Sequence, residues 1–214
     1  MKKHYVSNSE TSTRMFKSGI LEAVSKVHFT VPLLVFIPVI CYCIYNTYIS
    51  NKLSISNIVI YFILGLLVWT VTEYVLHRFI FHFEPKTSFG KRCHFIFHGV
   101  HHDYPKDRLR LVLPPIVSIP LATMFYHIFS NILRGAEFYP FFAAFIIGYL
   151  IYDMLHYAIH HVQVKGKLWN ILKTHHLKHH YVHPDKGYGV SSPIWDKLAK
   201  TEFPKESKSY TKSV

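Results

Sequence analysis

Along the 214-residue chain, long apolar runs alternate with polar segments rich in histidine. Four runs, at residues 31–49, 55–76, 111–133 and 138–159, come near the length that a hydrocarbon core of about 30 Å demands of a spanning helix. The first contains Pro32 and Pro38, and the third contains Pro114, Pro115 and Pro120. Such prolines break soluble helices but are tolerated in membrane bundles, where neighbours satisfy the freed carbonyls. The pattern therefore predicts an all-α, polytopic membrane protein of about four transmembrane helices. Its third span is the least regular and is read as kinked or re-entrant.

Before the first run, Arg14, Lys17 and Lys26 alternate with Met15, Phe16, Ile20, Leu21, Val24 and Val27. This spacing suits an amphipathic helix lying on a membrane surface. No apolar stretch in this segment has the form of a secretory signal. The expected organisation is a basic N-terminal segment at 1–29, a membrane domain with its histidine-rich cap at 30–202, and a polar, disordered tail at 203–214.

Charge fixes the expected orientation. The net charge is +12, and 22 of the 24 Lys and Arg residues lie in the N-terminal segment, the 77–110 loop and the region after the fourth run. With four spans, all three segments share one side, which the positive-inside rule makes cytosolic. That places the protein in the endoplasmic reticulum if eukaryotic and in the inner membrane if bacterial. The same distribution accounts for the basic surplus without nucleic acid, for which no motif is present. The three cysteines, Cys41, Cys43 and Cys93, form neither a disulfide framework nor a thiolate metal site.

Fourteen of the 17 histidines fall in clusters at 77–82, 94–102, 156–161 and 175–183. By the orientation above, all are in cytosolic segments or at the cytosolic ends of spans two and four. His98, His101 and His102 stand at i, i+3 and i+4, and His176, His179 and His180 repeat that spacing. Such spacing gathers imidazoles on one helical face. His156 and His160 form an i, i+4 pair, whereas His77 and His82 are five apart and share a metal only where the helix ends or bends. Ten imidazoles are too many for one ion, and two metals are the natural count. Imidazoles without thiolates suit iron, zinc, copper or nickel. A transporter would place ligands inside the bundle, which here contributes only His127, read as a packed residue.

Glu73 precedes His77, and Asp153 precedes His156, by about one turn each, so both carboxylates are candidates to hold an imidazole N–H. His94 is read as a supporting residue. Asp103, Arg108, Arg110 and Tyr157 are candidates to bind the polar head of a substrate.

The segments HRFIFH, HGVHHDYPKDRLRLVLPP, LHYAIHH and HHLKHH resemble the histidine boxes of the membrane-bound fatty acid hydroxylase and sterol desaturase superfamily. The run from Glu73 to Pro115 is similar to its fatty acid 2-hydroxylase branch, and the resemblance covers about residues 61–201. It implies a dinuclear site with one metal on His77, His82, His98, His102 and His180, and the other on His101, His156, His160, His176 and His179. It also implies O2-dependent hydroxylation at the alpha carbon of a long-chain fatty acid or fatty acyl lipid, with iron expected for that chemistry and zinc able to fill the same ligands. Residues 1–29 are too few for a fused haem-binding domain, so a separate cytochrome b5-like or ferredoxin-like electron donor is expected. Competing readings are another lipid hydroxylase or desaturase, acting on a sterol or carotenoid, and a metal-binding membrane protein without catalysis.

Overall fold

The computed structural model describes residues 4–204, and the expected disordered tail lies outside them from residue 205 onward. The described residues are helical, with no strand. Helix α1 (Gly19–Ser25) precedes two long apolar helices, α2 (Val31–Ser50) and α3 (Ile55–Val75). Short helices α4 (Ser88–His94) and α5 (Val100–Asp103) lie in the loop before α6 (Pro115–Ile132). The long α7 (Phe138–His161) is followed by α8 (Lys167–Tyr181) and α9 (Ile194–Leu198).

Local chemistry sets these boundaries. The Ser54 hydroxyl caps α3 by accepting the Asn57 N–H at 3.3 Å, and Thr87 caps α4 through the Gly90 N–H at 3.1 Å. Asn51 ends α2 in the left-handed region at φ 45°. Pro115 opens α6, where its missing N–H removes no helical bond. The third span therefore starts at Pro115, later than the apolar run suggested, and it is one helix of 18 residues with Pro120 inside.

Four helices, at Val31–Ser50, Ile55–Phe81, Pro115–Ile132 and Phe138–His161, have the length and composition to cross a membrane, as a multi-pass membrane protein requires. They are not equivalent. Two-thirds of the apolar stretch of α7 is buried, against 11%, 11% and 6% for the other three. A helix apolar all round belongs in the middle of a bundle, and α2, α3 and α6 pack around α7. Phe36, Trp69, Phe142, Phe145, Ile146 and Tyr149 form the centre of this core. Exposed Leu34, Tyr48, Ile63 and Ile132 point outward from the surrounding helices. Close approach of α3 to α7 depends on Gly65, where a Cβ would stand 2.2 Å from the Phe141 carbonyl oxygen.

The N-terminal segment differs from expectation. Among its described residues only the seven of α1 are helical, and the chain before Ser18 is tied instead to the cap. Val6 and Ser7 donate their N–H groups to the Asp103 carbonyl, and Thr13 donates to the Asp107 carboxylate. Arg110 closes the clamp through Glu22 at 2.5 Å, the Thr13 carbonyl and the Ser25 hydroxyl.

Candidate metal centre

The centre is built where α3 stops being an α-helix. Residues Leu76–Phe81 continue it as a π-helical turn, and the His82 N–H donates to the His77 carbonyl at 3.1 Å. A bond from i+5 back to i brings residues five apart onto one side, which an α-helix cannot do. A second π-helical turn, Phe95–Gly99, joins α4 to α5 and sets the direction of His98.

The structure gathers the imidazoles into two groups of five, with one ring nitrogen from each residue of a group within 4.8 Å of the others. His77, His82, His98, His102 and His179 make the first, and His101, His156, His160, His176 and His180 the second. His98 Nε2 lies 3.1 Å from both His77 Nε2 and His102 Nε2, and His179 Nε2 lies 3.0 Å from His82 Nε2. In the second group the His101–His156 separation is 2.8 Å and the His160–His176 separation 3.0 Å, again between Nε2 atoms.

The expected partition is corrected at two positions, since His179 falls in the first group and His180 in the second. Helical geometry gives the reason. His176 and His180 are i, i+4 on α8 and share a face, whereas His179 is turned about 100° from His180.

These groups fit metal ions. Burial first, and then repulsion among neighbouring imidazoles, hold His98, His101, His102, His176 and His180 well below the usual histidine range. Burial and neighbouring His77 likewise bring His179 down to about 3. The rings are thus neutral near pH 7, with bare lone pairs converging in a buried space, an arrangement that a cation stabilises. Two donors at right angles on metal–nitrogen bonds of ~2.1 Å lie ~3.0 Å apart, in keeping with the separations seen.

Both carboxylate expectations are corrected. Glu73 does not touch His77; its carboxylate accepts the Val190 and Ser191 N–H groups, each at 2.8 Å, and the Ser191 hydroxyl. His77 Nδ1 instead donates to the Tyr188 carbonyl at 2.5 Å, and His179 Nδ1 to the Lys186 carbonyl at 2.6 Å. Asp153 does not hold His156, because Asp153 Oδ2 and His156 Nδ1 are both buried without a hydrogen-bond partner among the described residues. Sequence reasoning missed Asp196, which is fully buried and accepts the Tyr188 and Gly189 N–H groups, the Thr201 hydroxyl and His175 Nε2. Nothing in the sequence singled it out, although the loop it holds begins at Gly187, which adopts φ +68°.

The remaining histidines stand apart from both groups. His94 packs over Gly99, His161 lies tilted against Tyr157 with centroids 4.7 Å apart, and His127, expected to be packed, is instead on an exposed face of α6.

A cavity open at one side runs between α2, α3, α6 and α7 to the histidines. Phe36, Trp69, Leu121, Ala122, Phe125 and Ile146 form its apolar part, and His98 and His156, one from each group, stand in its wall beside Asp153. None of the four residues expected to bind a polar head lines it. Arg110 is committed to Glu22, Arg108 pairs with Glu10 at 3.3 Å, Tyr157 stacks on Phe29, and Asp103 receives the N-terminal segment on its backbone.

The fatty acid hydroxylase family model matches residues 62–201. The chain belongs to the fatty acid hydroxylase family. It is thereby an oxidoreductase of lipid metabolism. A dihydroceramide fatty acyl 2-hydroxylase of Arabidopsis thaliana is 38% identical over 184 residues, covering 86% of this chain and 77% of the relative. A ceramide very long chain fatty acid hydroxylase of Schizosaccharomyces pombe is 35% identical over 87% of this chain, which spans 54% of that longer protein. Among solved structures, full-length scs7p, with only its hydroxylase domain visible, superposes with a TM-score of 0.82 at 33% identity, covering 88% of this chain and 72% of the other.

Proposed function

We propose that the protein hydroxylates the alpha carbon, C2, of a long-chain fatty acid or of the fatty acyl chain of a sphingolipid. The observation that carries this reading is the cavity: apolar walls from four spanning helices lead to a place whose lining includes His98 of one group and His156 of the other. A chain lying there puts a carbon near its polar end against both groups. The names of the relatives, 2-hydroxylases of dihydroceramide and of fatty acids, agree with that position.

His77, His82, His98, His102 and His179 would hold one metal, and His101, His156, His160, His176 and His180 the other. When bound, a redox-active pair supplies the O2 chemistry, a role that iron fits and zinc, with the same ligands, does not. The residues of the chain contribute orientation and exclusion of water. The apolar walls align the acyl chain, and Asp153 in the cavity wall would accept a hydrogen bond from an amide or hydroxyl of the head. Hydroxylation by O2 consumes two electrons besides those of the C–H bond, and a cytochrome b5-like or ferredoxin-like carrier would supply them. The Lys and Arg distribution supports a cytosolic cap, in the endoplasmic reticulum of a eukaryote or the inner membrane of a bacterium.

Expression in a host that lacks 2-hydroxy acyl chains tests the reading. Those chains should appear in the lipid profile with the wild type and be absent with His101→Ala. Hydroxylation at another carbon, or on a sterol, would overturn the assignment.

A further inference from the structure

The two histidine groups are supported very differently. In the first, two of the five rings, His77 and His179, have Nδ1–H fixed on backbone carbonyls of one loop, those of Tyr188 and Lys186. A carbonyl only accepts, so each of these rings carries its proton on Nδ1 and presents a bare Nε2. In the second, the Nδ1 atoms of His101, His156, His160, His176 and His180 are all buried without a hydrogen-bond partner among the described residues. An imidazole whose other nitrogen is held is fixed in tautomer and orientation and is the more basic ligand, whereas an unheld ring divides its population between tautomers.

The carbonyl-bearing loop is itself held by two carboxylates. Asp196 accepts the N–H groups of Tyr188 and Gly189, each at 2.8 Å, and Glu73 accepts those of Val190 and Ser191 at the same distance. Gly189 allows this approach, since a Cβ there would stand 3.0 Å from Asp196 Oδ2 and 2.1 Å from the Ser192 carbonyl oxygen. The chain of contacts thus runs from Asp196 through the Tyr188 peptide to His77, and it reaches no ring of the second group through that loop.

We infer that the protein holds its two metals unequally, more tightly at the first group, and that Asp196 is a positioning residue acting on that group through the 186–191 loop, its own imidazole partner, His175, belonging to neither group. This rests on the metal-holding reading given above. Removing such a support typically weakens metal binding by about 10–100-fold.

Zinc serves as the probe because it binds without turnover, with affinity read by competition against a chromophoric chelator on detergent-purified protein. Wild type should bind two ions and release them in two phases. His176→Ala should retain the tight ion and His102→Ala the weak one. Added to His176→Ala, Asp196→Asn should weaken the tight ion by about 10–100-fold. Added to His102→Ala, it should leave the weak ion unchanged, a readout that general unfolding would move. Glu73→Gln, which loosens the same loop from its other end, should reproduce the selectivity if Asp196→Asn fails to fold. Two ions of equal affinity, or an effect of Asp196→Asn on both backgrounds alike, would overturn the inference. Wild type that takes up no metal would overturn the metal reading itself.

Discussion

The His82 amide donates to the His77 carbonyl 3.1 Å away, five residues back rather than the four of an α-helix. That one bond decides whether the two rings face each other. In an α-helix they would diverge by about 140°; here their centroids are 4.9 Å apart.

Lengthening the turn should therefore separate them. Inserting one alanine beside the exposed Ile80 adds a residue between the two rings and swings His82 about 100° relative to its present direction. The expected outcome is loss of the first-group metal, with helical content by circular dichroism unchanged. Retention of both metals would show that the π-helical turn is not what aims His82.

The cavity predicts chain-length selection. Ala122 on α6 faces it amid Phe125, Phe145 and Ile146, so Ala122→Phe fills its apolar part without touching either histidine group. Lipid analysis should show product shifted toward shorter chains, with hydroxylation of the longest falling about 10-fold or more. An unchanged profile would place the acyl chain elsewhere.

These two features differ in how far the sequence betrayed them. The spans were legible because a membrane imposes a length on any helix that crosses it; six of the ten imidazoles were legible from repeated i, i+3, i+4 spacing and two more from the i, i+4 pair His156 and His160, whereas His77 and His82 joined the set through the resemblance to the hydroxylase family. The separation of His179 from His180 was available in the same spacing, since His180 shares a face with His176. The π-helical turns were not, because nothing in HRFIFH distinguishes bonding at i+5 from bonding at i+4. Glu73 beside His77 misled for a related reason: helical proximity is visible in sequence, but the 188–191 loop that comes between them arrives from more than 100 residues away.

The N-terminal clamp carries its own pH dependence. Burial alone would push the Glu22 carboxyl up, but the N–H groups of Phe16 and Met15, with Lys26 and Arg110, outweigh it and bring it down to about 2 from an ordinary 4.5. Between those values the unfolded segment binds a proton that the folded one refuses, so the stabilisation is complete above about pH 4.5 and is lost as pH falls through about 2. Hydrogen–deuterium exchange over residues 13–27 should accelerate in that window for the wild type. Glu22→Gln should lack the dependence and exchange faster at neutral pH, and Arg110→Ala should also exchange faster, since it removes one partner of the carboxylate while Lys26 and the two N–H groups remain. Equal protection in wild type and variants across the range would remove the clamp from the account.

Packing of α3 on α7 makes the last prediction, because α3 leads into His77 while α7 carries His156 and His160. At Gly65 a Cβ would meet the Phe141 carbonyl oxygen at 2.2 Å and the Ala144 methyl at 2.9 Å, and neither backbone can yield without moving a helix. Gly65→Ala should therefore destabilise the protein by about 1–3 kcal/mol. It should also pry the two histidine groups apart, lowering hydroxylation even at temperatures where the protein remains folded. Gly19→Ala is the control, since nothing lies within 4 Å of a Cβ there. Thermal melts in detergent, read beside metal content, separate the outcomes. A Gly65→Ala protein as stable and as fully metallated as wild type would mean that the α3–α7 contact does not set the spacing of the centre.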